Sequence, residues 1–430
     1  MRKNLISVVL CAAMAAGMLA GCAQSKTKDE SAGTASDEKQ KVSLRMWGQE
    51  NDQELLQDMI DKFIDTYSDY ADITVQLGVQ SDSGARDKIL SDQEAAADVY
   101  SYPSDRLQDL VSAGALQCID DMDEVLQQYA DKSLEDVKNA NVEGSVEAAV
   151  YDGKLYSFPM TADNGYFLYY NKNVISEDDV KSWTALMEAA QAAGQKVGMT
   201  LASGWYNASF FYSAGFTTSQ NKDGTTNLDW NGTADYTGVE VAQAMLNIAS
   251  NPAFMALTDG DAANQMAAGN LCAAVSGTWD SVAAQKAFGD GFAATKLPVL
   301  EIAGNEIPHK AVIGYKLIGV NAHSENVGWA TLLADFITNQ DQQKTRFEVR
   351  NVGPSNKVVL ADPMIKEDIT EAAVVEQSKY AVPQNVGSNF WAPAKTFGEM
   401  IAKSKLQKDD IAGIQAALDT LVAGVESPVE

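Results

Sequence analysis

The aromatic residues Tyr102, Trp205, Trp279 and Trp391 each fall where a strand pattern ends or a helix pattern begins, beside glycine, proline or asparagine. Core aromatics sit inside an apolar stripe, as the sequence places Trp183 and Trp329. A flat ring at a loop mouth suits stacking on the apolar face of a sugar, a contact that contributes about 0.5–1.5 kcal/mol beyond the area it buries. Sugar hydroxyls also need planar donors and acceptors, and the adjacent Asp105 and Arg106 supply both. Taken singly, each aromatic serves as well in a core as in a site. Their shared setting, together with the acid–guanidinium pair, is what points to carbohydrate.

Residues for covalent chemistry do not assemble into a pattern. Histidine occurs only at His309 and His323, each near a strand edge without a partner motif, which reads as surface or hydrogen-bonded histidine. There is no G-x-S-x-G, C-x-x-C, H-E-x-x-H or G-x-x-x-x-G-K sequence, and Gly289-Asp290-Gly291 lacks a third glycine at the required spacing. Acid pairs such as Asp120-Asp121 and Asp409-Asp410 resemble a glycosidase pair, but among 59 acidic residues they read as solvated faces. Asp223, Asn227 and Asp229 fail the spacing of an EF-hand and lack its closing glutamate, so Asn221 to Gly224 reads as a hairpin turn. The expectation is a protein with no catalytic residue, no cofactor and no metal.

The elements that must hold these residues alternate between strand and helix. Val42, Leu44 and Met46 keep strand period, and Leu56, Met59, Ile60, Phe63 and Tyr67 form one helical stripe. Ile73 to Val79 alternates again, and Asp98-Val99-Tyr100 is a short strand leading to a helix that starts near Pro103 or Ser104. Later strands are expected at Lys196 to Leu201, Leu271 to Ser276 and Ala311 to Val320, with a helix over Val239 to Ala249. Ser176 to Asp179 reads as the cap of a helix carrying Val180, Trp183, Leu186 and Met187. Such alternation predicts an α/β fold with a mainly parallel sheet covered by helices. One stretch interrupts it. Tyr151 to Lys172 reads as a turn at Asp152-Gly153, a strand, the polar piece Pro159 to Gly165 with a lone acid at Asp163, and a second strand. The polar piece is too hydrophilic for a core and predicts a crossing between domains.

The first residues belong to targeting. Arg2 and Lys3 precede an apolar run of 15 residues from Leu5 to Leu19, too short for a transmembrane span. Leu19-Ala20-Gly21-Cys22 looks like a bacterial lipobox, which implies cleavage before Cys22 and a lipid on its thiol; the alternative is an ordinary signal peptide with a chance cysteine. Residues 22–41 hold no large apolar side chain and predict a flexible tether. No other run reaches transmembrane length, so the body is expected outside the cytoplasm. That body is about 390 residues, more than one core usually serves, and predicts two domains. The net charge is -27, or -29 without Arg2 and Lys3, which argues against nucleic acid and anionic lipid headgroups as partners. Cys118 and Cys272 are expected in different lobes, unpaired and buried.

From Val42 to its end the chain resembles the extracytoplasmic sugar-binding lipoproteins of ABC importers, and among them the maltose/maltodextrin-binding proteins. The segment DVYSYPSDRLQDLVSAGAL resembles that family's strand, aromatic and Asp-Arg pair, which implies that Tyr102 stacks on sugar and that Asp105 and Arg106 bind hydroxyls. DGKLYSFPMTADNGYFLYYNK looks like its crossing segment, with Asp163 where a sugar-binding glutamate is usual. ASGWYN, GTWDS and NFWAPAK place Trp205, Trp279 and Trp391 on platforms, with Lys395 near a basic contact. The first loop, WGQENDQE, offers Glu50 or Asn51 and no lysine, and Ser203-Gly204 stands where a glutamate is expected. The resemblance implies a two-lobed periplasmic-binding-protein-like fold with a ligand cleft between lobes joined by hinge crossings. The lobes divide as 42–161 with 316–362 and 162–315 with 363–430, after a signal peptide at 1–21. It also implies a monomer that delivers malto-oligosaccharides to an ABC permease. The rival readings are a binding protein for another oligosaccharide, a polyol or a peptide, and a secreted glycoside hydrolase or lyase.

Overall fold

The computed structural model describes residues 39–221, 224–383 and 385–427. The signal sequence, Cys22 and most of the expected tether lie outside the described residues, as does Asp223 of the calcium reading. The hairpin expected there is present: Ser219–Gln220 pairs with Thr226–Asn227.

The chain forms two α/β lobes. In the first, strand Gln40–Gly48 buries Val42, Leu44 and Met46 on one face. Helix Gln53–Tyr67 lays Leu56, Met59, Ile60, Phe63 and Tyr67 against that face, as its 3.6-residue stripe requires. Strand Ala71–Val79 runs parallel beside Gln40–Gly48, from Gln40 opposite Ala71 to Gly48 opposite Val79. Strand Val99–Pro103 lies parallel on its other side. The second lobe orders its sheet as Phe254–Ala256, Lys196–Met199, Leu271–Ser276, Phe167–Asn171 and Phe292–Thr295.

The first sheet is mainly parallel, as expected, with Gln40–Gly48 parallel to both its neighbours and Ala311–Val320 parallel to Ala381–Pro383, whereas the second sheet is evenly mixed. Leu271–Ser276 and Phe292–Thr295 both run antiparallel to Phe167–Asn171, and Ala311–Val320 runs antiparallel to Val99–Pro103 and to Ser157–Gly165. A strand's own alternation records which face is buried and not its direction, so strands that return after a crossing look like any other.

Strand Ala311–Val320 belongs to both lobes. Its first residues, Ala311 and Val312, join the second core, whereas Leu317, Ile318 and Val320 join the first. Strand Ser157–Gly165 accompanies it across. The polar stretch Pro159 to Gly165 makes the expected crossing, but it does so as a strand almost wholly buried rather than as a piece too polar for a core. Two register shifts opposite it, on either side of Lys316, accommodate Pro159, which has no N–H to give to a regular ladder. The preceding turn has Asp152 at φ 49° and Gly153 at φ 79°, the left-handed pair that closes a two-residue hairpin.

The helix expected from Ser176 begins later. Ser176 and Asp179 exchange hydrogen bonds around a single turn, and the long helix Trp183–Ala192 is capped by Ser182. Cys118 and Cys272 are free, buried and in different lobes. Among the described residues no helix is long and apolar enough to cross a membrane, and no group of His, Cys, Asp or Glu is placed to hold a metal ion.

His309 is a buried structural residue. The Trp183 indole N–H donates to His309 Nδ1 at 3.0 Å, so Nε2 carries the proton and donates to Ser209 Oγ, also at 3.0 Å. Burial pushes the imidazole down to about 3, so the folded state holds it neutral while the unfolded chain protonates it near 6.5. Its stabilising contribution is therefore complete above about 6.5 and lost as pH falls toward 3. Urea unfolding should show the parent losing stability relative to His309→Gln as pH drops from about 7 to about 5. Equal pH dependence in both proteins would refute this role.

Candidate ligand-binding cleft

Between the lobes lies a cavity of about 560 Å³, within the range of small-ligand sites. Trp205, Trp279 and Trp391 all line it, each half-buried, and all come from the second lobe. Trp205 opens helix Gly204–Ser213, Trp279 sits in the turn Thr278–Asp280, and Trp391 opens helix Trp391–Ala402. Local packing explains why they meet. A methyl group on Gly204 would stand 2.7 Å from the Phe390 ring and 3.0 Å from Ala394, so only glycine lets these two helices approach. The Tyr166 hydroxyl donates to the Trp205 carbonyl at 3.0 Å and holds that helix start in place. Trp279 folds over Gly277, where a side chain would strike its ring and the Gly165 carbonyl.

The first lobe answers with charge. Asp105 and Arg106 lie in the turn Ser104–Arg106, which follows strand Val99–Pro103, and their side chains pair at 3.4 Å. Burial pushes the Asp105 carboxyl up, and the Arg106 guanidinium opposes that shift. Arg106 reaches across to the other lobe, its guanidinium carbon 4.1 Å from the Trp391 ring centroid. A desolvated contact of this kind is worth up to about 2 kcal/mol. The cation thus covers one face of the Trp391 ring.

Lys316, on the shared strand, was not singled out in the sequence. Its ammonium lies 3.0 Å from Asp82 Oδ2 and 5.8 Å from the Trp279 ring centroid. Burial alone would lower its pKa, but the Asp82 carboxylate, together with Asp52 and Asp163, raises it. Asp82 also accepts from Gln49 Nε2 at 2.6 Å and from the Ser101 hydroxyl. On the second lobe, Asp280 accepts from Ser276 Oγ at 2.6 Å, and burial pushes its carboxyl up. Asn164 and Asp259 complete the polar lining. Two of these residues had a visible signal. Lys316 is the one charge in the run AVIGYKLIGV, and Asp280 directly follows Trp279. Asp82 and Asp259 had none.

The expected residues Tyr102, Asp163, Lys395, Glu50 and Asn51 lie elsewhere. Tyr102 has no exposed surface, and its hydroxyl hydrogen-bonds with that of Ser157. The strand runs on to Pro103, so Tyr102 sits inside the sheet opposite Leu317 rather than at its mouth. Glu50 and Asn51 are exposed on the turn Glu50–Asp52, and the neighbouring Gln49 lines the cleft instead. Lys395 is exposed one turn along from Trp391 and does not line the cleft.

Asp163 is a hinge residue. Its Oδ2 accepts from the Gly353 N–H at 2.5 Å, and the Ala162 N–H donates to the Gly353 carbonyl at 3.2 Å. A methyl on Gly353 would lie 2.7 Å from Glu371 Oε1 and 2.9 Å from Asp163 Cβ, so the two acids flank one glycine. Burial, and then the charge of Asp163, push the Glu371 carboxyl up; burial also raises Asp163, against hydrogen bonds from Thr278 and Gly353. Like charges this close cannot both ionise away from water.

Residues 59–373 match the family of bacterial extracellular solute-binding proteins. This chain belongs to that family. The solute-binding protein is 28% identical to the galactooligosaccharide-binding protein of Bacillus subtilis (strain 168) over 323 residues, 72% of each chain. A solved chain with acarbose is 27% identical, with a TM-score of 0.77, over 89% of this chain and 99% of that one. The maltodextrin-binding protein MalE1 from L. casei BL23, solved without ligand, shares the fold at 22% identity and a TM-score of 0.72, over 90% of this chain and 99% of that one.

The hinge acids generate a pH test. Glu371 has a folded pKa above its unfolded value of about 4.3, so its contribution is complete below that value and lost as pH rises. Any stability that the parent protein holds over Glu371→Gln at about pH 5 should shrink as pH rises to about 8. A steeper fall in the variant would contradict a protonated hinge.

Proposed function

We propose that this protein captures an oligosaccharide between its lobes, with malto-oligosaccharides as the first candidates. In this reading it passes the sugar as a monomer to an ABC permease, while a lipid on Cys22 holds it to the outer face of the membrane. The observation that carries the proposal is the convergence of Trp205, Trp279 and Trp391 on one cavity opposite the Asp105–Arg106 pair. Indoles offer the apolar faces that sugar rings stack on, and the charged pair offers planar hydrogen bonds to hydroxyls. Lys316 supplies a cation to the cleft that the first loop, WGQENDQE, does not. A ligand touching both lobes favours the closed state by its differential affinity for closed over open.

A galactooligosaccharide is the second reading, favoured by the Bacillus subtilis relative. Both are binding functions. Asp163, the acid considered for the glycoside hydrolase reading, is bonded to Gly353 and does not line the cleft.

A thermal-shift screen over maltose, maltotriose, cyclic dextrins, galactooligosaccharides and xylo-oligosaccharides tests the proposal, and maltotriose is expected to raise the melting temperature. A rise with galactooligosaccharides alone would select the second reading, and no rise with any sugar would defeat both. In calorimetry, Trp279→Ala should weaken maltotriose binding by about 2 kcal/mol. Trp391→Ala should cost less, because Arg106 must leave that ring before sugar can stack. Unchanged affinity in Trp279→Ala would remove that residue from the site.

A further inference from the structure

The cleft does not end at Trp205. A second cavity of about 440 Å³ lies beyond it and shares Asp105, Asn164 and Trp205 with the first. Gly314 marks the waist between them. A methyl group there would stand 3.4 Å from the Trp205 ring, 3.4 Å from Asn164 Nδ2 and 3.6 Å from Ser104 Oγ. A glycine here keeps the space beside Trp205 and Asn164 free of a side chain.

The far chamber is built from the same two chemistries as the near one. Tyr151 and Tyr315, both half-buried, give it aromatic walls, and Gln108, Gln220 and Asn385 give it amides. Tyr315 is fixed by packing: a methyl group on Gly144 would stand 2.2 Å from its hydroxyl oxygen, so the phenol fits only over glycine. Tyr151 stands on the hairpin Val150–Leu155 with its ring 6.5 Å from that of Tyr156. The chamber also lies between the lobes. Gln108 of the first lobe reaches the Asn221 carbonyl of the second at 3.5 Å, beside the cavity wall. An occupant of this chamber therefore touches both lobes, as one in the near chamber does.

We propose that the ligand runs past Trp205 and fills both chambers, so that the protein selects oligosaccharides longer than a trisaccharide, with Tyr151 and Tyr315 reading the length. This rests on the oligosaccharide reading above. Either chamber alone has the volume of an ordinary small-ligand site, and a chain that occupies one leaves the aromatic walls of the other uncovered.

Calorimetry with a series of one linkage, from the disaccharide to the hexasaccharide, tests it; the maltodextrin series comes first and the galactooligosaccharide series second. Affinity in the parent protein should rise about tenfold or more between trisaccharide and hexasaccharide. Tyr151→Ala should lose most of that rise while holding trisaccharide affinity within about twofold. Gly314→Leu, which fills the waist, should abolish the rise. Unliganded melting temperatures of both variants show that each is folded, and two variants guard against the failure of one. Equal affinity for trisaccharide and hexasaccharide would overturn the two-chamber proposal and leave the oligosaccharide reading intact. Absence of binding across both series would defeat the oligosaccharide reading itself.

Discussion

The strand Ala311–Val320 must serve two hydrophobic cores at once, and the cleft follows from how it does so. Its ends are apolar and buried in opposite lobes, while its middle carries Gly314, Tyr315 and Lys316. An ammonium in that position is taken out of water, which costs several kcal/mol unless a partner compensates. Asp82 is that partner at 3.0 Å, and Gln49 and Ser101 satisfy the rest of its carboxylate. The cleft floor is thus a polar patch on a structural spine, fixed by the same strand that ties the lobes together. The second connection, Ser157–Gly165, is pinned by Asp163 to Gly353.

Above that floor the lobes divide the labour. The second lobe supplies the indoles, and the first supplies a carboxylate and a guanidinium. Across the cleft these components satisfy each other, with Arg106 over Trp391 and Lys316 near Trp279. Sugar stacking yields about 0.5–1.5 kcal/mol per ring, while displacing a desolvated cation costs up to about 2 kcal/mol. Stacking on Trp391 therefore returns little net free energy. The gain must come from Trp279, Trp205 and the hydroxyl contacts that the released Arg106 and Asp105 make. That division favours a ligand rich in hydroxyls over a merely flat one, which is why carbohydrate suits the site better than an aromatic or peptide ligand.

Much of this was legible in the residues. The bounds of Ala311–Val320 follow from an apolar run interrupted by the single charge of Lys316, and helix Gln53–Tyr67 follows from its stripe. The cleft tryptophans stand near glycine, proline or asparagine, but so do the buried Trp230 and Trp329, so that setting alone does not separate site from core. What could not be read was orientation. Tyr102 has the neighbours of a platform residue, but the strand continues beyond it and turns it inward. Asp163 looked like a lone acid at a cleft because its partners, Gly353 and Glu371, arrive from nearly two hundred residues away. Asp82 joins the cleft through Lys316 over a similar separation, and no local pattern announces such a pair. Strand direction was hidden for the same reason, since pairing is decided by chain segments that local alternation does not describe.

A sugar that binds between the lobes on these indoles must displace Arg106. A crystal structure of the protein with a bound oligosaccharide would show it. Sugar rings should lie against Trp279 and Trp205, with the Arg106 guanidinium withdrawn from Trp391 to bond ligand hydroxyls. A sugar bound outside the cleft, or one bound within it while Arg106 remains stacked on Trp391, would contradict this binding mode.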